Sequence, residues 1–135
     1  MSGLVERPEV QRDVNPNQIL KSLKIHLERS FEYLCGKERC AVLFSGGVDS
    51  ALAALMTSRM CKDTLLITAR CEGSHDESVA IQAATAMSLD IAEVHIDSES
   101  LWNSLPQVVH SIKTRKRMDV EISIPFFFAA QEARE

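Results

Sequence analysis

Ile19, Leu20, Leu23, Leu27, Phe31 and Leu34 recur three or four residues apart with polar residues between them, the spacing of one helix face. Asn15-Pro16 supplies a start, a capping side chain followed by a ring whose fixed φ suits the first helical position, and Gly36 supplies a stop. The rhythm then changes. Cys40 to Phe44 is too apolar throughout to alternate, which marks a strand buried on both faces of a parallel sheet. Ser45-Gly46-Gly47 breaks the run, and Ala51-Leu52-Ala53-Ala54-Leu55-Met56 resumes at helical density to about Met60. The cycle repeats with a strand at Leu65–Ala69, a loop from Arg70 to His75, and a helix carrying Val79, Ile81, Ala83, Ala84 and Met87. Ser74 or Asp76 can cap that helix, which ends near Leu89; Ile91 to Ile96 is the third strand. Three such strands alternating with helices predict a βαβαβ unit with right-handed crossovers.

From Asp97 the pattern is helical again, with Leu101, Trp102 and Leu105 on one face. Pro106 is expected to interrupt it, since proline removes a donor and clashes with the preceding turn. Ser104 would then cap a fresh helix that buries Val108, Val109 and Ile112. A last helix is expected to open at Ile122-Ser123-Ile124-Pro125, capped by Ser123, and to run through Phe126, Phe127, Phe128 and Ala129 to Ala133. Three adjacent Phe cover most of a helix circumference, so this helix should be nearly buried. Residues 1–14 carry charges and no periodicity and read as an arm ahead of a single domain, residues 15–135.

Composition narrows the classes. With 135 residues, 45% of them apolar and 25% charged, the chain can build one globular core. No apolar run approaches a membrane span, and Met1 to Asn15 has no apolar signal core, so a cytoplasmic protein is expected. A net charge of −4 argues against a general nucleic-acid binder. Cys35, Cys40, Cys61 and Cys71 form no CxxC pair, and their spacings fit no common zinc site; they read as buried or half-buried thiols. His26, alone on the first helix, reads as solvated. The basic cluster Lys113-Thr114-Arg115-Lys116-Arg117 reads first as a helix end complementing the macrodipole. The alternative is a mobile loop that meets phosphates or an acidic partner.

The chemistry concentrates at Ser45-Gly46-Gly47-Val48-Asp49-Ser50. A strand, a glycine turn and a helix start aim backbone N–H groups at an anion, and glycine lets a phosphate approach without a Cβ in the way. Two hydroxyls and a carboxylate sit at the same mouth. There is no GxxxxGK[ST], so this is not a Walker A loop, and no GxGxxG follows the first strand, so the dinucleotide fingerprint is missing.

The SGGVDS run resembles the pyrophosphate loop of the N-type ATP pyrophosphatases, the PP-loop superfamily, which includes asparagine synthetase, NAD synthetase, GMP synthetase, argininosuccinate synthetase and several tRNA-modifying enzymes. Ser74-His75-Asp76 with Ala80, Ala83 and Ala84 resembles the S-P-D loop and following helix of the asparagine synthetase domain, and Ser123-Ile124-Pro125 resembles its S-x-P helix start. The resemblance implies a Rossmann-like (adenine nucleotide alpha hydrolase-like) α/β fold, a parallel sheet with flanking helices, of which three strands of a usual five are present. It implies ATP and Mg2+ as cofactors and pyrophosphate binding by Ser45, Gly46, Gly47, Asp49 and Ser50. Asp49, repelled by phosphate, fits Mg2+ ligation. Leu43 and Ala69 occupy the adenosine-contacting positions at carboxyl ends of strands, and Asp76 is a further candidate whose other reading is a plain N-cap. The implied reaction adenylates a carboxylate (aspartate in asparagine synthetase) with release of pyrophosphate, and a nitrogen nucleophile then displaces AMP. No catalytic residue is assigned.

The sequence also departs from that family. It begins Met1-Ser2-Gly3 and has no glutaminase domain, so ammonia would come free or from a separate glutaminase. The family's second phosphate-facing loop, S-G-x-G-A-D-E after a fourth strand, is not in the sequence. The expectation is therefore the N-terminal part of a larger synthetase-like protein, a truncated product, or a domain completed by a partner. Without a fourth strand, Val42, Leu43 and Phe44 would form an exposed apolar edge, and a homo-oligomer is expected. Two other functions stay open: a non-catalytic nucleotide-binding or oligomerising module, and a PP-loop enzyme modifying tRNA or a small molecule. The acidic balance and missing CxxC weigh against tRNA.

Overall fold

The apolar runs do pair as parallel strands, but the run at Cys40 is not buried on both faces as expected: Ala41 is exposed, and Val42 and Leu43 are half-buried, because among the described strands theirs lies at the edge of the sheet. In the computed structural model, which describes residues 15–35, 39–71 and 77–134, β1 (Arg39–Leu43), β2 (Asp63–Cys71) and β3 (Asp90–Ile96) form one parallel sheet in the order β1-β2-β3. Ala41 lies opposite Leu65 and Leu43 opposite Ile67; Ile67 in turn lies opposite Ala92, and Ala69 opposite Val94. β2 is central. Its neighbouring side chains Leu66 and Ile67 point to opposite faces, and both are almost completely buried.

Each face has its own core. On one, α2 (Val48–Met60) and α3 (Glu77–Met87) close over Phe44, Ala54, Leu66, Ala80 and Ala84, with Val42, Met87 and Ile91 at the margin. Three of those five core residues are alanines, which lets helix backbones approach the sheet closely. On the other face, α4 (Ser98–Ile112) and α5 (Arg117–Glu132) bury Ile96, Val108 and Ile124, with Ala69, Leu105, Phe127 and Phe128 packed around them. Among the described residues no helix is long and apolar enough to cross a membrane.

Pro106 and Pro125, expected at fresh helix starts, lie inside helices instead. Asp97 starts α4 instead, its carboxylate accepting from the Ser100 amide at 2.7 Å, and Ser104 is no cap: its hydroxyl donates back to the Leu101 carbonyl at 2.8 Å. Pro106 cannot donate to the Trp102 carbonyl, but both residues are exposed, so that carbonyl sits on the solvent side where water can serve it. α5 likewise begins at Arg117 and runs through Pro125. The Ser123 hydroxyl donates to the Asp119 carbonyl at 2.7 Å, and Glu121, whose carbonyl loses its partner to Pro125, is exposed. The basic cluster is the short connection between these helices. Lys113 closes α4 in the left-handed region (φ 56°, ψ 27°), and the Thr114 hydroxyl accepts from the Lys116 amide at 3.2 Å.

Three further expectations change. The Phe triplet is not nearly buried: Phe127 and Phe128 are half-buried and meet edge to face at 5.7 Å, while Phe126 is exposed. The outer edge of β1 is free among the described strands, yet it is not the apolar surface expected, because Phe44 is 1% exposed under α2 and Val42 packs beside it. α1 (Pro16–Cys35) has the predicted span, but it meets the domain through its C-terminal half. Leu27 and Phe31 are half-buried and Cys35 buried, whereas Ile19, Leu20, Leu23 and Leu34 stay exposed. Residues 1–14 and the cap candidates Ser74 and Asp76 lie outside the described residues.

Candidate functional site

The turn after β1 is held from three sides. The Phe44 amide donates to the Ile67 carbonyl at 2.8 Å, so the chain stays in register with β2 up to the residue before the loop. Gly46 then takes φ +78°, where a side chain is strained. A Cβ there would also lie 2.9 Å from the Ala80 Cα and amide nitrogen and 3.0 Å from the Val79 carbonyl carbon. Gly46 is glycine for reasons internal to the fold: the turn and the first turns of α3 fill the space.

Gly47 is different. It is the N-cap of α2 with ordinary dihedrals (φ −75°, ψ 164°) and is exposed. Among the described residues, a Cβ on it would meet only the Ser45 Oγ, at 3.4 Å, an ordinary contact. Neither strain nor packing explains its missing side chain. Among the described residues, the absence leaves backbone open beside the start of α2, where no side chain caps the helix and the first amides are free of intrahelical partners.

Two hydroxyls brace this opening. Ser50 Oγ donates to the Gly47 carbonyl at 3.0 Å and accepts from the Ser45 amide at 3.3 Å. Ser45 Oγ lies 3.1 Å from Ser50 Oγ and accepts from the Gly47 amide at 3.4 Å. The single Ser50 proton is committed to Gly47, so Ser45 is the donor between the two hydroxyls. Asp49 sits exposed in the first turn of α2, where the macrodipole favours a negative group.

Ser45, Gly46, Gly47, Asp49 and Ser50 thus come together at the carboxyl end of β1. Leu43 and Ala69 share the face of the sheet covered by α5: Leu43 is opposite Ile67, and Ala69 is two residues further along β2. Ala69 also packs against the Ile96, Val108 and Ile124 core. Asp76 lies outside the described residues. One polar group near this end of the sheet has no signature in the sequence. Arg70, mostly buried, ion-pairs with Glu93, and its Nη2 lies 3.3 Å from His95 Nε2. The three are brought together by the β2–β3 register, in which Arg70 lies opposite His95; only knowledge of that register could have found them.

The family described as Asparagine synthase matches residues 22–135. An asparagine synthetase (glutamine-hydrolyzing) of Methanocaldococcus jannaschii is 28% identical over 100 residues, covering 74% of this chain and 18% of that one. The chain therefore spans about a fifth of that relative's length. An NMN synthetase structure from Francisella tularensis aligns over 88% of this chain and 52% of its own, at 16% identity and a TM-score of 0.50. An NH3-dependent NAD synthetase from Campylobacter jejuni aligns over 89% and 54%, at 13% identity and a TM-score of 0.48. At 16% identity and a TM-score of 0.50, the Francisella tularensis structure speaks to the fold alone, a parallel sheet flanked by helices. The match over residues 22–135, most of the chain, decides the family: this chain belongs to the asparagine synthase family of PP-loop, ATP pyrophosphatase-type ligases.

Proposed function

We propose that the β1–α2 loop binds the pyrophosphate portion of ATP, and that this chain supplies the nucleotide-binding wall of an amide-forming ligase. The observation that carries the reading is Gly47, an exposed glycine that, among the described residues, neither its dihedrals nor its packing require, at a helix start no described side chain caps. A phosphate placed against it would receive backbone N–H groups and the partial positive end of α2. The Ser45 and Ser50 hydroxyls, whose protons serve Ser50 Oγ and the Gly47 carbonyl, would have to turn out of those bonds to add neutral donors to a charged acceptor.

The donor set also fits Mg2+. Asp49 is an exposed oxygen ligand at the same mouth, suited to a hard cation that keeps most of its waters. When bound, the metal neutralises phosphate charge as it develops. The adenosine would lie over Leu43 and Ala69, across the carboxyl ends of β1 and β2, where open α/β sheets take their ligands. For the assembled protein we propose carboxylate adenylation with pyrophosphate release, followed by amination with ammonia, free or delivered by a glutaminase. Aspartate is the acceptor suggested by the family. Stabilising the charge that builds on the α-phosphate needs groups on the far side of the crevice as well. For this chain by itself we propose nucleotide binding.

Calorimetric titration with ATP, with and without Mg2+, tests the first step. Saturable binding that Mg2+ strengthens supports it, and absence of binding at millimolar ATP sinks it. Pyrophosphate release from ATP and aspartate, with and without ammonia, tests the second.

A further inference from the structure

We propose that Cys35, Cys40 and Cys61 form a binding site for a thiophilic divalent cation of the zinc type, at the end of the sheet opposite the SGG loop. The three come from three elements. Cys35 is the last residue of α1, Cys40 is the second residue of β1, and Cys61 is the C-cap of α2. Their sulfurs all lie within 4.8 Å of one another. Sequence spacing does not show the group, because it depends on α2 returning the chain to the start of β1.

The geometry suits a metal. Four sulfurs around a tetrahedral zinc, at about 2.3 Å from it, stand ~3.8 Å apart, so a set within 4.8 Å lies within about 1 Å of one face of that tetrahedron. The Cys40 and Cys61 sulfurs, 2.8 Å apart, need to open by about 1 Å to reach the ~3.8 Å that tetrahedral zinc prefers. The donors are all sulfur, the set that selects zinc and other soft cations over Mg2+ or Ca2+. Cys35 and Cys61 are buried and Cys40 is half-buried, so a cation would enter past Cys40 into a mostly dry site. The fourth position would be taken by water. On binding, each thiol passes its proton to solvent and its sulfur lone pair to the metal.

The site would also be a staple. α1 leaves most of its apolar positions exposed and meets the domain through its C-terminal half. A metal there would tie the end of α1 to the start of β1 and to the end of α2. The site lies a full helix from the nucleotide loop: α2 has 13 residues, about 20 Å of rise. The proposed role is therefore structural, and nucleotide affinity should not depend on it.

The test is titration of the reduced full chain with Zn2+, and with Co2+ as a coloured probe, against a metal-buffering chelator. The expected result is uptake of one equivalent with a thiolate-to-cobalt charge-transfer band that Zn2+ abolishes, together with a rise in Tm. Cys40→Ser and Cys61→Ser should each remove the band, with circular dichroism confirming that they fold, and Cys71→Ser should leave it intact. Absence of uptake by the reduced wild-type chain overturns the proposal, and this measurement needs no variant. So does a band that survives Cys40→Ser, or a Cys40–Cys61 disulfide that forms in air in the presence of stoichiometric Zn2+.

Discussion

The two ends of α2 carry different kinds of chemistry, and they became visible in different ways. At the N-terminal end, Ser45, Gly46, Gly47, Asp49 and Ser50 are neighbours in sequence, and their hydrogen bonds all run between residues at most five apart. At the C-terminal end, Cys61 meets Cys40 and Cys35, which are 21 and 26 residues away. The first end is polar, exposed and open beside a glycine. The second is mostly buried, made of thiols and enclosed by three elements. A local cluster needs only a strand, a turn and a helix to exist. A non-local one needs the crossover to be correct, so it tests the topology as well as the chemistry.

The largest effect expected at the polar end belongs to Gly46. Gly46→Ala would force a Cβ into the left-handed region and against the α3 backbone at 2.9 Å. Strain at a positive φ costs about 1–2 kcal/mol and overpacking about 1–3 kcal/mol. The variant should lose ~3 kcal/mol in urea denaturation. A loss of no more than ~1–2 kcal/mol, the strain cost alone, would show that α3 does not pin the loop.

Gly47→Ala sharpens the comparison by separating fold from ligand. Its Cβ has room and its dihedrals are ordinary, so stability to urea should fall only by the cost of alanine against glycine at an N-cap, about 0.5–1 kcal/mol. ATP affinity should fall at least tenfold, about 1.4 kcal/mol, because the Cβ would occupy the space a phosphate needs. Unchanged affinity in a folded Gly47→Ala chain would mean that the loop is a plain strand-to-helix turn.

The same contrast explains what could be read from the sequence. β1 and β2 were legible as strands because their apolar runs are continuous, β3, broken by Glu93 and His95, because it continues the strand–helix alternation, and α1 because its apolar spacing is regular, although spacing could not say that Ile19, Leu20 and Leu23 would remain uncovered. The loop proposed to bind the nucleotide could be picked out because its residues are contiguous. Pro106 and Pro125 misled because proline's cost depends on where the orphaned carbonyl points. Opposite Trp102 and Glu121, both exposed, water can offset it. The Arg70–Glu93–His95 group and the cysteine cluster were illegible, since each exists only through a register or a crossover between distant residues.

A smaller effect is expected at the thiol end of α2. Burial, then the adjoining Cys40 and Cys35 thiols, push the Cys61 thiol from an ordinary 9.0 up to about 12. The folded pKa exceeds the unfolded one, so the folded state holds the proton more tightly. This contribution to stability is fully present below pH 9.0 and drains away as pH rises toward about 12. In chelator and reductant, the urea midpoint of the metal-free chain should decline over that window. The decline should flatten in Cys61→Ala. A wild-type midpoint that stays level through the window would show that the sulfur is not buried as described.

The smallest effect is a control at a helix start that, unlike α2, is closed by its own side chain. The Asp97 carboxylate accepts from the Ser100 amide, and that hydrogen bond holds its pKa below the usual carboxylate range. Its folded pKa is depressed, so its contribution is present above the ordinary carboxylate value of about 3.9 and is lost as pH falls through the folded one. Asp97→Ala should therefore lower Tm slightly at neutral pH, with the difference from wild type closing in acid. ATP affinity should be unchanged, because the α4 cap is already satisfied from within the chain. If Asp97→Ala weakened ATP binding as much as Gly47→Ala, a helix start's response to ATP would not depend on whether it is capped. The openness of α2 would then lose its significance as the mark of the site.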